Sequence, residues 1–181
     1  MECGKNLKII DTNVIRKAGD TDYAAMTHLE ALCAQCCQNF VKSFIDSVES
    51  RIVLDIDYEI LKEYQRNIPY PPQGQPTIAT SFMRKLLRNL EKIPPENWID
   101  TQKTGENQYG TFPSDKRLSD FDPADRKFIA VANTHPEHPP IVEGTDCKWW
   151  GYKEVLAEHG VLIDFLCEEY IKDAYQKKMG D

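Results

Sequence analysis

Four acids in this chain stand where carboxylates can do chemistry: Asp11, Glu63, Asp125 and Asp146. The run Leu7-Lys8-Ile9-Ile10 reads as a buried strand and ends abruptly in Asp11-Thr12-Asn13. In open α/β sheets, ligands gather outside the carboxyl ends of the strands. An acid there can hold a cation or position a reacting water. Its plainer role is an Asx-turn leading into the next segment. The run Pro140-Ile141-Val142-Glu143-Gly144-Thr145-Asp146 repeats the design, apolar residues running into small polar ones and then an acid. Asp146 is also a natural N-cap for a helix from Lys148. If the two strands are parallel neighbours, Asp11 and Asp146 would lie side by side.

The other two acids fall on helical patterns. Ile60, Leu61, Tyr64 and Ile68 share one face at about 100° per residue, and Glu63 sits on its border. Glu59 points further toward solvent. Phe128, Ile129, Val131 and Ala132 define a buried face that also contains Asp125. An ionised carboxylate aimed at a core is costly unless it is paired, hydrogen-bonded or bound to a metal. Helix capping competes with that reading. Asp122 suits the N-cap and Pro123 the first helical position, which leaves Asp125 at the third, where acids favour the helix dipole. Clustered carboxylates repel one another and raise their pKa values unless a cation sits among them. Hard oxygen donors suit Mg²⁺ or Mn²⁺, and such an ion can activate water and stabilise a phosphate under attack. His28, His135, His138 and His159 are isolated or lie in a Pro-rich turn and read as surface residues rather than zinc ligands.

The elements that must position these acids alternate. Residues 7–10 read as a strand. Asp20, Thr21 and Asp22 offer caps for a helical stretch over 23–48, one helix or two broken near Gln38. Residues 51–54 read as a second strand, and Asp57 can cap a helix from Tyr58 to about Asn67. A loop with Pro69, Pro71, Pro72, Gly74 and Pro76 follows, then a helix over 78–91 capped by Thr77. Residues 93–121 show no clear period and read as an irregular insertion or flap. A helix from Asp122 to about Asn133, a strand at Ile141-Val142, a helix over Lys148–His159, a strand at Val161–Ile163 and a helix over 164–178 complete the order. This alternation implies a parallel sheet with helices on both faces.

At 181 residues the chain suits one domain, with the insertion at about 93–121. Its 41% hydrophobic and 28% charged content is ordinary for a globular protein. No apolar run approaches the roughly 20 residues that span a bilayer, and Met1–Lys5 do not begin a signal peptide, so a cytoplasmic protein is expected. The net charge of −7 argues against a broad basic face that grips duplex nucleic acid. Local basic groups remain as weak candidates for phosphate contacts: Arg84, Lys85 and Arg88 at helical spacing, Lys116 and Arg117 in the insertion, and Lys148 before Trp149-Trp150. Single-stranded RNA suits such groups when aromatics stand beside them. The competing readings are a solvated helix face and core tryptophans. Six cysteines, Cys3, Cys33, Cys36, Cys37, Cys147 and Cys167, read as reduced core thiols despite the C-x-x-C-C cluster.

Taken together, Ile9-Ile10-Asp11-Thr12-Asn13, Ile60-Leu61-Lys62-Glu63-Tyr64, Asp122-Pro123-Ala124-Asp125 and Ile141-Val142-Glu143-Gly144-Thr145-Asp146 resemble, in order and spacing, the motifs of PIN-domain nucleases. The resemblance implies a three-layer α/β/α fold around a central, mostly parallel sheet of four to five strands. It implies Mg²⁺- or Mn²⁺-dependent cleavage of phosphodiester bonds, usually in RNA. It assigns Asp11, Glu63, Asp125 and Asp146 to the metal, with Thr12, Asn13, Asp122 and Thr145 as supporting groups. Many bacterial members are ribonuclease toxins held by antitoxins, so an antitoxin or other protein partner is an expectation beside RNA; a homodimer is compatible, and no membrane is expected. The chain departs from the family at Gly144, where a Thr or Ser is frequent two positions before the fourth acid, and in the length of 93–121. Two alternatives are a non-catalytic PIN-like module that binds RNA or protein, and an aspartate-nucleophile phosphatase. The phosphatase wants a second acid two positions after the first, where this chain has Asn13.

Overall fold

The apolar run Leu7–Ile10 forms strand β1, with Ile9 and Ile10 sealed from solvent. In the computed structural model, which describes residues 7–49, 51–70 and 74–179, this strand lies inside a parallel sheet. Cys3, Pro71, Pro72 and the segment Met1–Lys5 lie outside the described residues. Asp11 ends the strand and caps helix α1 (Thr12–Ala18). Helix α2 (His28–Asp46) follows without a break at Gln38, and its cap is Thr27 rather than any of residues 20–22. Thr27 and Glu30 exchange side-chain and backbone hydrogen bonds across the first turn, so both ends of a capping box are present. The stretch just before it, Tyr23–Ala25, makes only a 3-10 turn.

The expected second strand divides at Val53 into β2 (Arg51–Ile52) and β3 (Leu54–Asp55). The two pieces serve different sheets: β2 pairs with β1, and β3 pairs with β4 (Trp98–Ile99). Helix α3 (Glu59–Asn67) is held by Asp55, not Asp57. Asp55 is fully buried, and its two carboxylate oxygens accept from Glu59 N at 2.7 Å and Ile60 N at 2.9 Å. Helix α4 (Ile78–Arg88) has Thr77 as its cap. Residues 93–121, which show no period in sequence, fold into β4, the hairpin β5 (Lys103–Gly105) and β6 (Gln108–Tyr109), and 3-10 turns. Strands of two or three residues are too short to display alternation. Leu118 and Phe121 from this segment are buried in the main core.

Helix α5 (Arg126–Thr134), strand β7 (Ile141–Glu143), helix α6 (Lys148–Glu158), strand β8 (Ile163–Phe165) and helix α7 (Glu168–Met179) close the chain. The architecture is mixed α/β, with seven α-helices among the described residues and a four-stranded parallel sheet in the order β2-β1-β7-β8. No described helix is long and apolar enough to cross a membrane. Trp149 is buried with Phe121 edge-on to its ring at 4.9 Å, so it belongs to the core. Trp150 packs on Phe165 and carries Lys153 over its face.

The cysteines correct the expectation of reduced thiols throughout. Cys33 is joined to Cys167 by a disulfide across a sequence separation of 134. Packing of α2 against α7 brings the two together. Cys36, Cys37 and Cys147 are free, and of these only Cys36 is exposed.

The Asp55 contacts yield a stability prediction. Asp55→Ala removes the carboxylate that accepts from the first N–H groups of α3 and leaves one part-buried and one buried donor short of a partner. The loss expected is about 2 kcal/mol, read as a lower urea midpoint with an unchanged slope. A change within about 0.5 kcal/mol, the usual range for a surface substitution, would show that the cap is not needed.

Candidate functional site

The carboxyl ends of β1 and β7 meet because the two strands are parallel neighbours. Their register pairs Ile9 with Ile141 and Ile10 with Val142. One step further, Asp11 stands abreast of Glu143, not of Asp146 as the repeated motif suggests. Asp146 follows three residues later in the turn before α6. Glu143 is a functional candidate that the sequence reading passed over. The apolar run alone places the strand's end at Val142, whereas a strand in the middle of a parallel sheet buries every residue up to its end.

Glu143 is wholly buried, and it organises that turn. Its Oε1 accepts from Gly144 N at 2.8 Å, Asp146 N at 3.0 Å and Thr145 N at 3.1 Å. Its Oε2 is buried without a hydrogen-bond partner. Burial pushes its carboxyl up to about 8 and the Asp146 charge adds to this, while the three N–H groups act in the other direction. Asp146 Oδ1 accepts from Lys148 N at 3.0 Å, so the expected capping contact exists, although Cys147 is the residue that flanks the helix.

Asp11 is only 1% exposed. Its Oδ1 accepts from Asn13 N at 2.7 Å, which is the expected Asx-type contact. Burial, then the charges of Glu143 and Asp125, and further that of Glu63, push its carboxyl well above the ordinary range. Helix α3 buttresses the same junction: the buried Tyr64 hydroxyl donates to Ile10 O, and Thr12 Oγ1 donates to Glu63 Oε1. Glu63 therefore faces the β1 end, as its border position on the helix allowed.

Asp125 closes the 3-10 turn Pro123–Asp125, directly before α5, and makes no capping hydrogen bond. Asp122 does that work instead, accepting from Ala124 N at 3.0 Å. Asp125 keeps its place at the start of the helix, where the dipole favours an acid, but its carboxylate makes no capping hydrogen bond. Burial first, and then the charges of Asp122, Asp146 and Glu63, push its carboxyl up to about 7 against the pull of Lys127.

Lys127 is a further buried charged residue at the site, beyond the four acids and Glu143. It is 3% exposed, forms an ion pair with Glu63 Oε2 and donates to Ala124 O. The available signal was its position one helical turn before Val131, on the buried face. Its ammonium supplies a positive charge inside the acid cluster.

Asp11, Glu63, Asp125 and Asp146 thus act on one another electrostatically, but not as a tight cage. Among the described residues, no three carboxylates bring their oxygens within 4.8 Å of one another; only Cys33, Cys37 and Cys167 meet that spacing with their sulfurs. The donor chemistry, all oxygen with one unpartnered buried oxygen on Glu143, fits a hard divalent cation. The spacing requires the acids to draw in around it.

Asn13 and Thr145 line an open polar groove of about 600 Å³ with Arg16, Gln75 and Tyr170; of the acids only Asp20 lines it, so it adjoins the cluster through the neighbours of Asp11 and Asp146. The basic candidates are placed less favourably. Lys85 donates to Ile45 O and lines an apolar groove of about 450 Å³ that contains no acid. Arg84 and Arg88 share its helix. Arg117 is committed to Asp115 and Glu158, and Lys116 is exposed beside it. Lys148 alone sits at the acids, 3.5 Å from Asp122 Oδ2. No family model, no curated protein and no solved structure matches the chain.

The protonated forms of Glu143 and Asp125 suit the buried edge better than the charged forms. For Glu143 this favours folding fully below 4.5 and is lost as pH rises through about 8; for Asp125 the window runs from 3.8 to about 7. In the presence of a chelator, the urea midpoint is expected to fall between pH 5 and pH 8. Glu143→Gln, which mimics the neutral acid, should flatten that fall. A midpoint that rises across the window, or an unchanged slope in the variant, would contradict the assignment.

Proposed function

We propose that the chain is a PIN-like, metal-dependent nuclease that cleaves phosphodiester bonds in RNA. The observation that carries the reading is Asp11: a buried acid at a strand end, under the charges of Glu143, Asp125 and Glu63. A site that accumulates carboxylates at the carboxyl edge of a parallel sheet is suited to a divalent cation. Asp11, Glu63, Asp125 and Asp146 would hold Mg²⁺ or Mn²⁺, which when bound supplies an activated water and neutralises charge on the phosphate. The three-layer α/β/α arrangement of the resemblance belongs to this proposal, as does an antitoxin-type protein partner.

The chain's own residues have definite tasks under this reading. Asn13 holds Asp11 through its backbone N–H, and Thr12 and Lys127 fix the two oxygens of Glu63. Glu143 fixes the turn that presents Thr145 and Asp146. The polar groove containing Asn13, Arg16 and Thr145 lies next in sequence to Asp11 and Asp146 and would offer hydrogen-bond donors to a bound strand. The substrate in this reading is single-stranded or structured RNA, since a net charge of −7 disfavours a broad grip on a duplex.

A non-catalytic binding module is the second reading, and one observation favours it: Lys127 already pairs with Glu63 where a metal ligand is expected. Purified protein with Mn²⁺ and a fluorescently labelled single-stranded RNA separates the two. Cleavage is expected, with Asp11→Asn lowering the rate roughly 100-fold or more, about 2.7 kcal/mol in barrier, while circular dichroism stays unchanged. Full metal-dependent cleavage by a folded Asp11→Asn protein would overturn the nuclease reading. RNA binding without cleavage by the wild type would establish the module.

A further inference from the structure

A second metal-competent cluster lies beneath the acid edge and has different chemistry. Cys33 and Cys37 stand one helical turn apart on α2, and Cys167 reaches them from the segment before α7. All three are buried, and their sulfurs lie within 4.8 Å of one another. Cys37 Sγ is 3.8 Å from Cys167 Sγ. Cys33 Sγ is 3.4 Å from the carbonyl oxygen of Gly144. A tetrahedral zinc with sulfur ligands at about 2.3 Å sets neighbouring sulfurs about 3.8 Å apart, and an oxygen ligand at about 2.1 Å stands about 3.6 Å from each sulfur. The Cys37–Cys167 and Cys33–Gly144 spacings are close to that geometry, whereas Cys33 Sγ and Cys167 Sγ, joined in the disulfide, must part before all three sulfurs can bind one ion.

We infer that, once the Cys33–Cys167 disulfide is reduced, Cys33, Cys37 and Cys167 form a three-thiolate site for one Zn²⁺, with Gly144 O in the fourth position. Soft sulfur donors select zinc over the hard ions suited to the carboxylates. A dithiol reductant gives two electrons and two protons to the disulfide, yielding two thiols and the oxidised reductant. Zinc then displaces three protons from three thiols, leaving one net negative charge on the zinc and its three thiolates. The disulfide is the oxidised, zinc-free form of the same cluster.

The alternative chemistry, attack of Cys37 on the disulfide, lacks a nucleophile. Burial pushes the Cys37 thiol up to about 12, so the thiolate that exchange requires is scarce without a metal. Gly144 explains the closeness of the cluster to the turn above it. A Cβ there would come within 3.1 Å of Cys37 Sγ and 3.3 Å of Val14 Cγ2. Zinc would therefore tie α2 and the start of α7 to the turn that carries Glu143 and Asp146, whatever that turn does.

The test uses the full chain, reduced and desalted, titrated with Co²⁺ as a spectroscopic stand-in for zinc. One equivalent is expected to produce sulfur-to-cobalt charge-transfer absorption, which added Zn²⁺ abolishes. Cys37→Ser keeps both disulfide partners, so its folding can be verified in the oxidised form. It should lose more than the roughly 100-fold in affinity that removal of an outer-shell group costs. Cys36→Ser and Asp11→Asn should keep the full band, the latter because the carboxylates give no sulfur charge transfer. The unreduced wild type should show none. Absence of the band in the reduced wild type, an undiminished band in Cys37→Ser, or the same band in unreduced protein would each overturn the site.

Discussion

The rest of the site depends on one juxtaposition: two buried carboxylates, Asp11 and Glu143, abreast on neighbouring parallel strands. Hydrogen bonding between β1 and β7 fixes their register, and the fully buried Ile9, Ile10, Ile141 and Val142 prevent slippage. Both faces of these strands are buried, so a one-residue shift would swap side chains between two differently packed faces and draw a carboxylate toward the apolar layer. Core packing therefore places like charges side by side, and neighbouring groups must offset the cost. Backbone N–H groups do so for one oxygen of each acid: Asn13 for Asp11, and Gly144, Thr145 and Asp146 for Glu143. Protons do so for part of the remainder, as the raised values of Asp125 and Glu143 indicate.

The surrounding elements serve the same edge. Asp55 starts α3 at a defined position, so that Tyr64 reaches Ile10 O and Glu63 reaches Thr12. Asp122 starts the turn before α5, leaving Asp125 free of capping duty and placing Lys127 on the buried side. Two acids at caps thus release two others for the cluster. Helix initiation and site assembly cannot be separated here, because a helix that began one residue later would rotate its acid by about 100°.

What was legible in the sequence has a common origin in local periodicity. The buried strand at Leu7–Ile10, the face of α3 that carries Tyr64, and the cap at Thr77 are all set by neighbours within a few residues. Asp11, Glu63, Asp125 and Asp146 could be picked out because each interrupts or borders such a pattern. The missed features depend on partners far away in the chain. Glu143 gains its position from pairing with a strand about 130 residues earlier, and Cys33 meets Cys167 across 134. The strands within 93–121 are too short to show a period, and β4 finds its partner in β3. Lys127 was locally visible on the buried face, yet a lysine there makes sense only once Glu63 is known to lie opposite.

Lys127 also defines what the acid edge can accept. It brings one positive charge to a group containing Asp11, Glu63, Asp125, Glu143 and Asp146. At an effective dielectric constant of about 20, two unit charges 4 Å apart interact by about 4 kcal/mol. As a group the acids are more widely spaced than that, and Lys148 adds a second ammonium at the exposed side. Burial and the remaining repulsion still raise the carboxyls of Asp125 and Glu143, which hold their protons to higher pH. A divalent cation competes with those protons, and its advantage grows as pH rises and they leave. Lysine, protons and metal are therefore alternative answers to the same field. Under the proposed nuclease reading a metal would in addition activate a water at the phosphate, whereas Lys127 and the protons only offset charge.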